Sequence, residues 1–144
     1  MTIEEFMNNN EVKLRSTVIG WIRKGYIPRA NEGENYIPNS ARVPYINAKA
    51  RTSDAIYNSI VEASRQRKHV MPALYRMGDD EFQGYINRLV EAGFIVIRIS
   101  DGVTYYDATL KAKNANKNFI LKVIKALAEG TSYGATKAML DNFN

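Results

Sequence analysis

The sequence predicts a mainly α-helical chain with small β-hairpins, organised as two helical parts and a C-terminal helical extension. Apolar residues recur three or four positions apart in four stretches, which is the period of a helix with one buried face. In one further stretch Ile95, Ile97 and Ile99 alternate with other residues, and a turn-forming Asp101-Gly102 follows. That pattern is typical of a β-hairpin.

Two short helices are predicted at the start of the chain. Thr2 can cap the first helix, and Glu5, three residues later, completes a capping box. The second helix should end at Gly25. Its apolar face is formed by Leu14, Val18, Trp21 and Ile22. Its opposite face is small, polar and cationic and consists of Lys13, Ser16, Thr17, Gly20, Arg23 and Lys24. Such a helix can pack its back on a partner helix and place its front in the major groove of DNA.

These residues resemble a known family. Thr17-Val18, Trp21-Ile22, Gly25 and Ile27-Pro28 match the pattern of MerR-like and phage-excisionase-like helix-turn-helix domains. The resemblance covers about residues 1–45 and implies a DNA-binding domain with a short wing at 29–35. Glu32 and Glu34 lie in that wing and would repel phosphates. The resemblance and the cationic face together place Arg15, Ser16, Thr17 and Arg23 nearest the bases. Lys13, Lys24, Arg29 and Arg42 are then expected nearest the phosphates.

A connector should follow, because residues 38–51 contain two prolines and only basic charges. We expect residues 46–52 to be a basic linker between two domains. Arg42, Lys49 and Arg51 would either follow a phosphate backbone or stay in water.

The second part, residues 53–111, is predicted as three helices and a hairpin. Ser53 should cap a helix that runs to about Arg67 and buries Ile56, Tyr57, Ile60, Val61 and Ala63. Pro72 should start a short segment. Gly78 and Asp79 open a helix with its apolar side at Phe82, Tyr85, Ile86, Leu89 and Val90, and Gly93 ends that helix. The segments 89–95 and 101–111 resemble the corresponding parts of PadR-like and MarR-like regulators, which implies a winged helix.

The net charge of +5 is unevenly distributed. Residues 77–110 hold six acidic and two basic residues, whereas the rest of the chain is basic. Asp79, Asp80 and Glu81 complement the dipole at a helix start and would repel phosphates. We therefore expect the second part to hold a partner subunit or another protein rather than to bind DNA.

The C-terminal part, residues 112–144, should contain an amphipathic helix and a last short helix from Ser132 to about Asn142. The apolar stripe of the first is Phe119, Ile120, Val123, Ile124 and Leu127. This stripe either packs back on the winged helix or provides the contacts of a homodimer. A membrane-surface helix is a weaker alternative, because the stripe is narrow and lacks tryptophan.

Several classes of function find no support. The chain has no cysteine and one histidine, which argues against disulfides and a metal site. It has no long apolar run and no secretory leader, which fits a cytoplasmic protein. No catalytic or phosphate-loop motif is present, His69 is expected to be an exposed residue near a helix end, and we expect neither an enzyme nor a cofactor.

Two functions follow from this. The first is a sequence-specific regulator or excisionase-like accessory factor of a phage or mobile element that binds double-stranded DNA. The second is an interaction factor that inhibits or recruits a host protein, such as a polymerase or, in an anti-CRISPR-like manner, the nuclease Cas9.

Overall fold

The computed structural model describes residues 1–30 and 36–129, which form six α-helices, a 3-10 helix and one two-stranded antiparallel sheet. The helices are α1 (Ile3–Asn9), α2 (Arg15–Lys24), α3 (Ser53–Arg65), α4 (Asp79–Glu91), α5 (Leu110–Asn114) and α6 (Lys117–Ala128). The 3-10 helix spans Pro72–Tyr75, and the strands are β1 (Ile95–Ser100) and β2 (Val103–Ala108). The prediction of a mainly helical chain with a small β element is confirmed.

The first two helices begin and end largely as their local signals predict. The capping box of α1 is present, with the Thr2 hydroxyl accepting from the Glu5 backbone N–H at 3.2 Å and the Glu5 carboxylate accepting from the Thr2 N–H at 3.2 Å. Gly25 ends α2 in the left-handed conformation, with φ at +76°. Leu14 is 63% exposed, so its assignment to the apolar face was wrong. It is the N-cap residue and precedes the first helical turn, where its side chain does not follow the buried stripe.

One hydrophobic cluster joins α1 and α2. It consists of Ile3, Phe6, Val18, Ile22, Ile27, Ile37 and Ala41. Trp21 is half-buried and meets the Phe6 ring edge-on, with 6.5 Å between ring centroids. The predicted wing, with Glu32 and Glu34, falls mainly on residues 31–35, outside the described residues. At its base the Ala30 N–H donates to the Tyr36 carbonyl at 3.0 Å.

The connector contains no helix or strand between residues 38 and 51, as predicted, but it lies against the second part of the chain. The His69 N–H donates to the Val43 carbonyl, and the Tyr45 N–H donates to the His69 carbonyl, both at 2.9 Å. The expectation that His69 is exposed was wrong, since 4% of it is accessible. Arg67 adopts a left-handed conformation with φ at +54° just after α3, and the residues that follow it run beside the connector.

The remaining elements surround a second, larger cluster. The Thr52 hydroxyl, rather than Ser53, caps α3 by accepting from the Ala55 N–H at 3.2 Å. The N-cap of α4 is Gly78 without a side-chain cap, so Asp79 and Asp80 lie in the first turn and do not cap the helix. Val90 is 38% exposed and not buried as expected, because it lies at the edge of the apolar stripe. Fully buried side chains of this cluster include Ile60, Val61, Ile86, Leu89, Phe94 and Ile95.

The hairpin has the register that its turn residues predict. Ser100 pairs with Val103, and Asp101 and Gly102 both have positive φ values, +54° and +74°, as a type I′ turn requires. Ile95 is buried, whereas Val96, Ile97 and Ile99 are exposed, because only the start of β1 reaches the core.

The stripe of α6 packs on the core of its own chain. Ile120, Val123 and Ile124 are buried, and Phe119 and Leu127 pack against the same cluster. Of the two predicted alternatives for this stripe, the structure shows packing on α3 and α4 of the same chain, with Phe119 and Leu127 partly buried. The predicted helix from Ser132 to Asn142 lies outside the described residues. No helix in residues 1–30 and 36–129 is both long enough and apolar enough to cross a membrane.

Candidate nucleic-acid interface

The cationic face of α2 is held outward by the packing of its opposite side. Val18 and Ile22 are buried in the first hydrophobic cluster, which fixes the rotation of the helix. Exposed on the other side are Lys13, Ser16, Arg23 and Lys24, with Thr17 and Gly20 half-buried between them. Arg15 is also exposed, but it lies on the side of α2 that faces α1. The structure thus brings six of the eight predicted DNA-binding residues onto α2 and the residue before its cap; these six are Lys13, Arg15, Ser16, Thr17, Arg23 and Lys24.

Gly20 leaves the middle of this face open. A Cβ atom built at Gly20 would meet no heavy atom within 4 Å outside its own helix backbone and chain neighbours. The front of α2 is therefore flat at its centre and cationic towards both ends. A molecule that approaches this face can reach the helix backbone itself.

The charges of the face are only partly neutralised. Arg15 forms an exposed ion pair with Glu4 of α1. The Lys24 ammonium lies 5.7 Å from the centre of the Tyr26 ring. Arg23 has no ion pair with any residue that the structure describes. Arg23 and Lys24 also lie in the last turn, at the negative end of the helix dipole, which stabilises them.

The other two predicted residues lie elsewhere. Arg29 is exposed and lines a cleft with Gly102 and Val103 of the hairpin turn. Arg42 is bound to the second part of the chain: its Nη1 lies 3.7 Å from Asp107 Oδ1, and its guanidinium lies 5.2 Å from the centre of the Tyr105 ring. The structure therefore does not bring Arg42 to the face of α2.

A second cationic surface was not identified from the sequence. A cleft of about 520 Å³ is lined by Arg42, Arg65, Arg67, Arg98, Lys113 and Asp107, together with Ser64 and Ala108. These residues come from the connector, α3 and the turn after it, both strands and α5. No periodic pattern connects such distant positions in the sequence. The net charge of +5 was the one sequence signal consistent with a cationic surface.

The second part also exposes an acidic and an apolar surface. Asp79, Asp80 and Glu81 are exposed in the first turn of α4. Ile97 and Ile99 of β1 are 46% and 72% exposed. Exposed apolar side chains that lie close together are more typical of protein contacts than of DNA contacts.

The buried His69, which follows α3, lies against the connector. His69 Nε2 accepts a hydrogen bond from the Arg42 backbone N–H at 2.9 Å. Burial, and secondarily the charge of Arg42, lowers the pKa of His69 from 6.5 to about 4. A ring that is neutral and buried in this way supports the fold. The described residues include no group of three or more metal-ligating side chains that could hold an ion.

Comparison of the chain with family models, curated proteins and solved structures found no match. The function must therefore be argued from the surfaces described above.

Proposed function

We propose that this chain binds double-stranded DNA with the front of α2 in the major groove. In this proposal residues 1–45 act as a helix-turn-helix domain, residues 53–111 act as a winged helix, and the protein is a regulator or accessory factor of a mobile element. The observation that carries the proposal is the exposed face of α2, where cationic side chains flank an open position at Gly20.

The dimensions of a helix and of the groove favour this arrangement. A helix with its side chains is about 10–12 Å across, and the major groove is about 12 Å wide, so a flat centre permits a deep approach. Ser16 and Lys24 lie eight positions apart on the front of α2, which is roughly 12 Å along the helix axis. One side chain can then contact base edges while the other contacts phosphates.

The salt dependence of DNA binding tests the proposal. Fluorescence anisotropy would measure binding of the whole chain to labelled DNA from the region flanking its coding sequence, with random DNA as competitor. Replacing both Arg23 and Lys24 by alanine should weaken binding and reduce the slope of log affinity against log salt by about 1, since each phosphate contact contributes about 0.9 and Lys24 is the one expected at a phosphate. The matched control replaces Arg76 and Lys122, an exposed pair with the same charge that is not on α2.

Gly20 offers a second test that does not change charge. A Cβ atom at position 20 meets no neighbour, and alanine and leucine should both favour the helix over glycine. If α2 enters the groove, the leucine variant should bind DNA much more weakly than the alanine variant at equal or higher thermal stability. Equal binding by the two variants would place the DNA, if bound, on another surface.

The exposed apolar side chains of β1, together with the acidic first turn of α4, favour a second candidate function. In this case the second part of the chain binds a host protein, such as a polymerase or a nuclease. Asp80→Lys and Glu81→Lys should then abolish capture of that protein, whereas Arg23→Ala and Lys24→Ala should not. If Arg23→Ala and Lys24→Ala instead weaken DNA binding, and the two acidic substitutions do not, the DNA-binding function is favoured.

A further inference from the structure

The cationic cleft on the second part of the chain carries more positive charge than its own residues neutralise. Five basic side chains and one carboxylate line it, and Glu62, next to the cleft, forms an ion pair with Arg65 at 3.2 Å, which leaves a formal excess of three positive charges. Its volume of about 520 Å³ is within the range of pockets that hold small molecules.

Three of the five cations are held in fixed positions. The Arg98 Nε donates to Asp107 Oδ2 at 2.9 Å, and Arg42 shares the same carboxylate through Oδ1 at 3.7 Å. Arg65 donates to the carbonyls of Ala112 and Ala115 at the end of α5, with 2.9 Å between its Nε and the Ala112 oxygen, and its Nη1 donates to Glu62 Oε2 at 3.2 Å. These contacts arrange guanidinium groups around the cleft before any ligand arrives.

The other two cations are Arg67 and Lys113. Both are exposed, and neither forms an ion pair with another residue in the described ranges. Their charges add to those of Arg42, Arg65 and Arg98, and side-chain exposure of Arg42 and Arg65 is only 24%. Like charges that are gathered and partly desolvated repel one another, and a bound anion would remove that cost.

The chemistry of the lining selects the kind of anion. Guanidinium groups donate in a planar fork that matches the oxygens of a phosphate, and they do so better than an ammonium. Among the described residues that line the cleft, none is aromatic, and Ala108 contributes the aliphatic surface. The cleft therefore offers contacts to phosphate oxygens and little to a base or another ring.

We infer that this cleft binds a phosphate group of a multiply charged ligand, at a site separate from the front of α2. The phosphate comes from either a small polyphosphate compound or a nucleic-acid backbone. The inference does not rest on the proposed function, because it uses none of the residues of α2.

Isothermal titration calorimetry with sodium tripolyphosphate at low salt tests the site in the whole chain. The wild-type protein should bind the probe, and the double variant Arg67→Gln/Lys113→Gln should bind it about tenfold more weakly. The matched control is Arg76→Gln/Lys122→Gln, which should change the affinity less than twofold. Arg76, like Arg67, is an exposed arginine at positive φ, and Lys122, like Lys113, is an exposed helical lysine.

A third variant should change the affinity in the opposite direction. Asp107→Asn removes the internal counter-ion of Arg42 and Arg98, so tripolyphosphate should bind more tightly than to the wild type. Thermal unfolding of each variant identifies any that is not folded. Absence of binding by the wild type would overturn the inference, as would an equal loss in the two double variants. If folded Asp107→Asn cannot be obtained, the wild type and the two double variants decide.

The same variants distinguish the two sources of phosphate. If the ligand is a nucleic acid, Arg67→Gln/Lys113→Gln should also reduce the salt slope of DNA binding by about 2. An unchanged DNA slope with lost tripolyphosphate binding assigns the cleft to a small polyphosphate. Arg23→Ala/Lys24→Ala should leave tripolyphosphate binding intact, so failure of the proposed function is distinguishable from failure of this inference.

Discussion

Lowering the pH is expected to weaken the fold at His69, where the connector meets the turn after α3. The imidazole is buried, and its Nε2 accepts a hydrogen bond from the Arg42 backbone N–H at 2.9 Å. Its ring also stacks on Tyr105, with 5.2 Å between ring centroids. Protonation would remove the acceptor and would place a second positive charge beside Arg42 in a desolvated site.

The size of the effect follows from the pKa of His69. Burial, and secondarily the charge of Arg42, lowers that pKa from 6.5 to about 4 in the folded chain. Between these two values the unfolded chain binds a proton that the folded chain does not, so stability falls as the pH falls. The contribution of His69 is fully present above pH 6.5 and is lost by about pH 4, and the whole loss is about 3 kcal/mol.

Urea unfolding followed by far-UV circular dichroism, at several pH values between 7 and 4, would measure this loss. The control is His69→Gln, whose amide oxygen can accept from the Arg42 N–H but does not titrate. Hydrogen bonds, chiefly from Thr2 and Gln66 respectively, lower the pKa values of Glu5 and Glu62. Protonation of these two carboxylates at low pH therefore destabilises the fold equally in the wild type and in His69→Gln. The difference in unfolding free energy between the two proteins should therefore change by about 3 kcal/mol over this range. If the two curves run parallel, His69 is not the titrating group.

Three further predictions concern stability and assembly. Gly25→Ala should lower stability by about 1 kcal/mol in thermal unfolding because φ is +76°, whereas Gly20→Ala should raise it by about 1 kcal/mol; the same sign for both would contradict the left-handed cap. Ser59→Ala should cost about 1–3 kcal/mol in urea unfolding because it leaves the buried Tyr75 hydroxyl, 2.9 Å away, without a partner, and adding Tyr75→Phe should recover part of the loss. Ile120→Ala should cost about 2–5 kcal/mol and leave the sedimentation coefficient of the folded protein unchanged; dissociation of a dimer at unaltered stability would instead place α6 at an interface.

The sequence predicted best the features that depend on neighbouring residues. The capping box of Thr2 and Glu5 uses atoms three residues apart, and the Asp101-Gly102 turn uses two adjacent residues that tolerate positive φ. The buried stripes of α3, α4 and α6 follow the helical period. In each case one short segment contains all the information that its structure needs.

The errors occur where a distant segment decides the outcome. His69 was expected to be exposed because it follows Arg67 and Lys68, but its environment is set by the connector, more than 20 residues earlier. Val90 fits the apolar period of α4, yet it is 38% exposed at the edge of the apolar stripe. The cationic cleft is the extreme case, because its residues lie in five separate segments and meet only in the folded chain.

The candidate interface on α2 was predicted more completely than the cleft for the same physical reason. Its side chains share one helix, so their common face follows from the period of that helix and from the burial of Val18 and Ile22. Arg29 and Arg42 are the exceptions among the predicted residues: Arg29 lies beside the hairpin turn, and the position of Arg42 depends on Asp107 and Tyr105.

Residues 40–42 of the connector contact both parts of the chain. Ala41 belongs to the hydrophobic cluster of α1 and α2, whereas the next residue, Arg42, lines the cleft and donates its backbone N–H to His69. Ser40 forms a hydrogen bond with the Tyr105 hydroxyl as well. A fragment that begins at residue 53 would lack these partners, and it would expose His69 and remove a cation from the cleft. Because the connector completes the second part of the chain in this way, the cationic cleft requires the connector as well as the elements after residue 53.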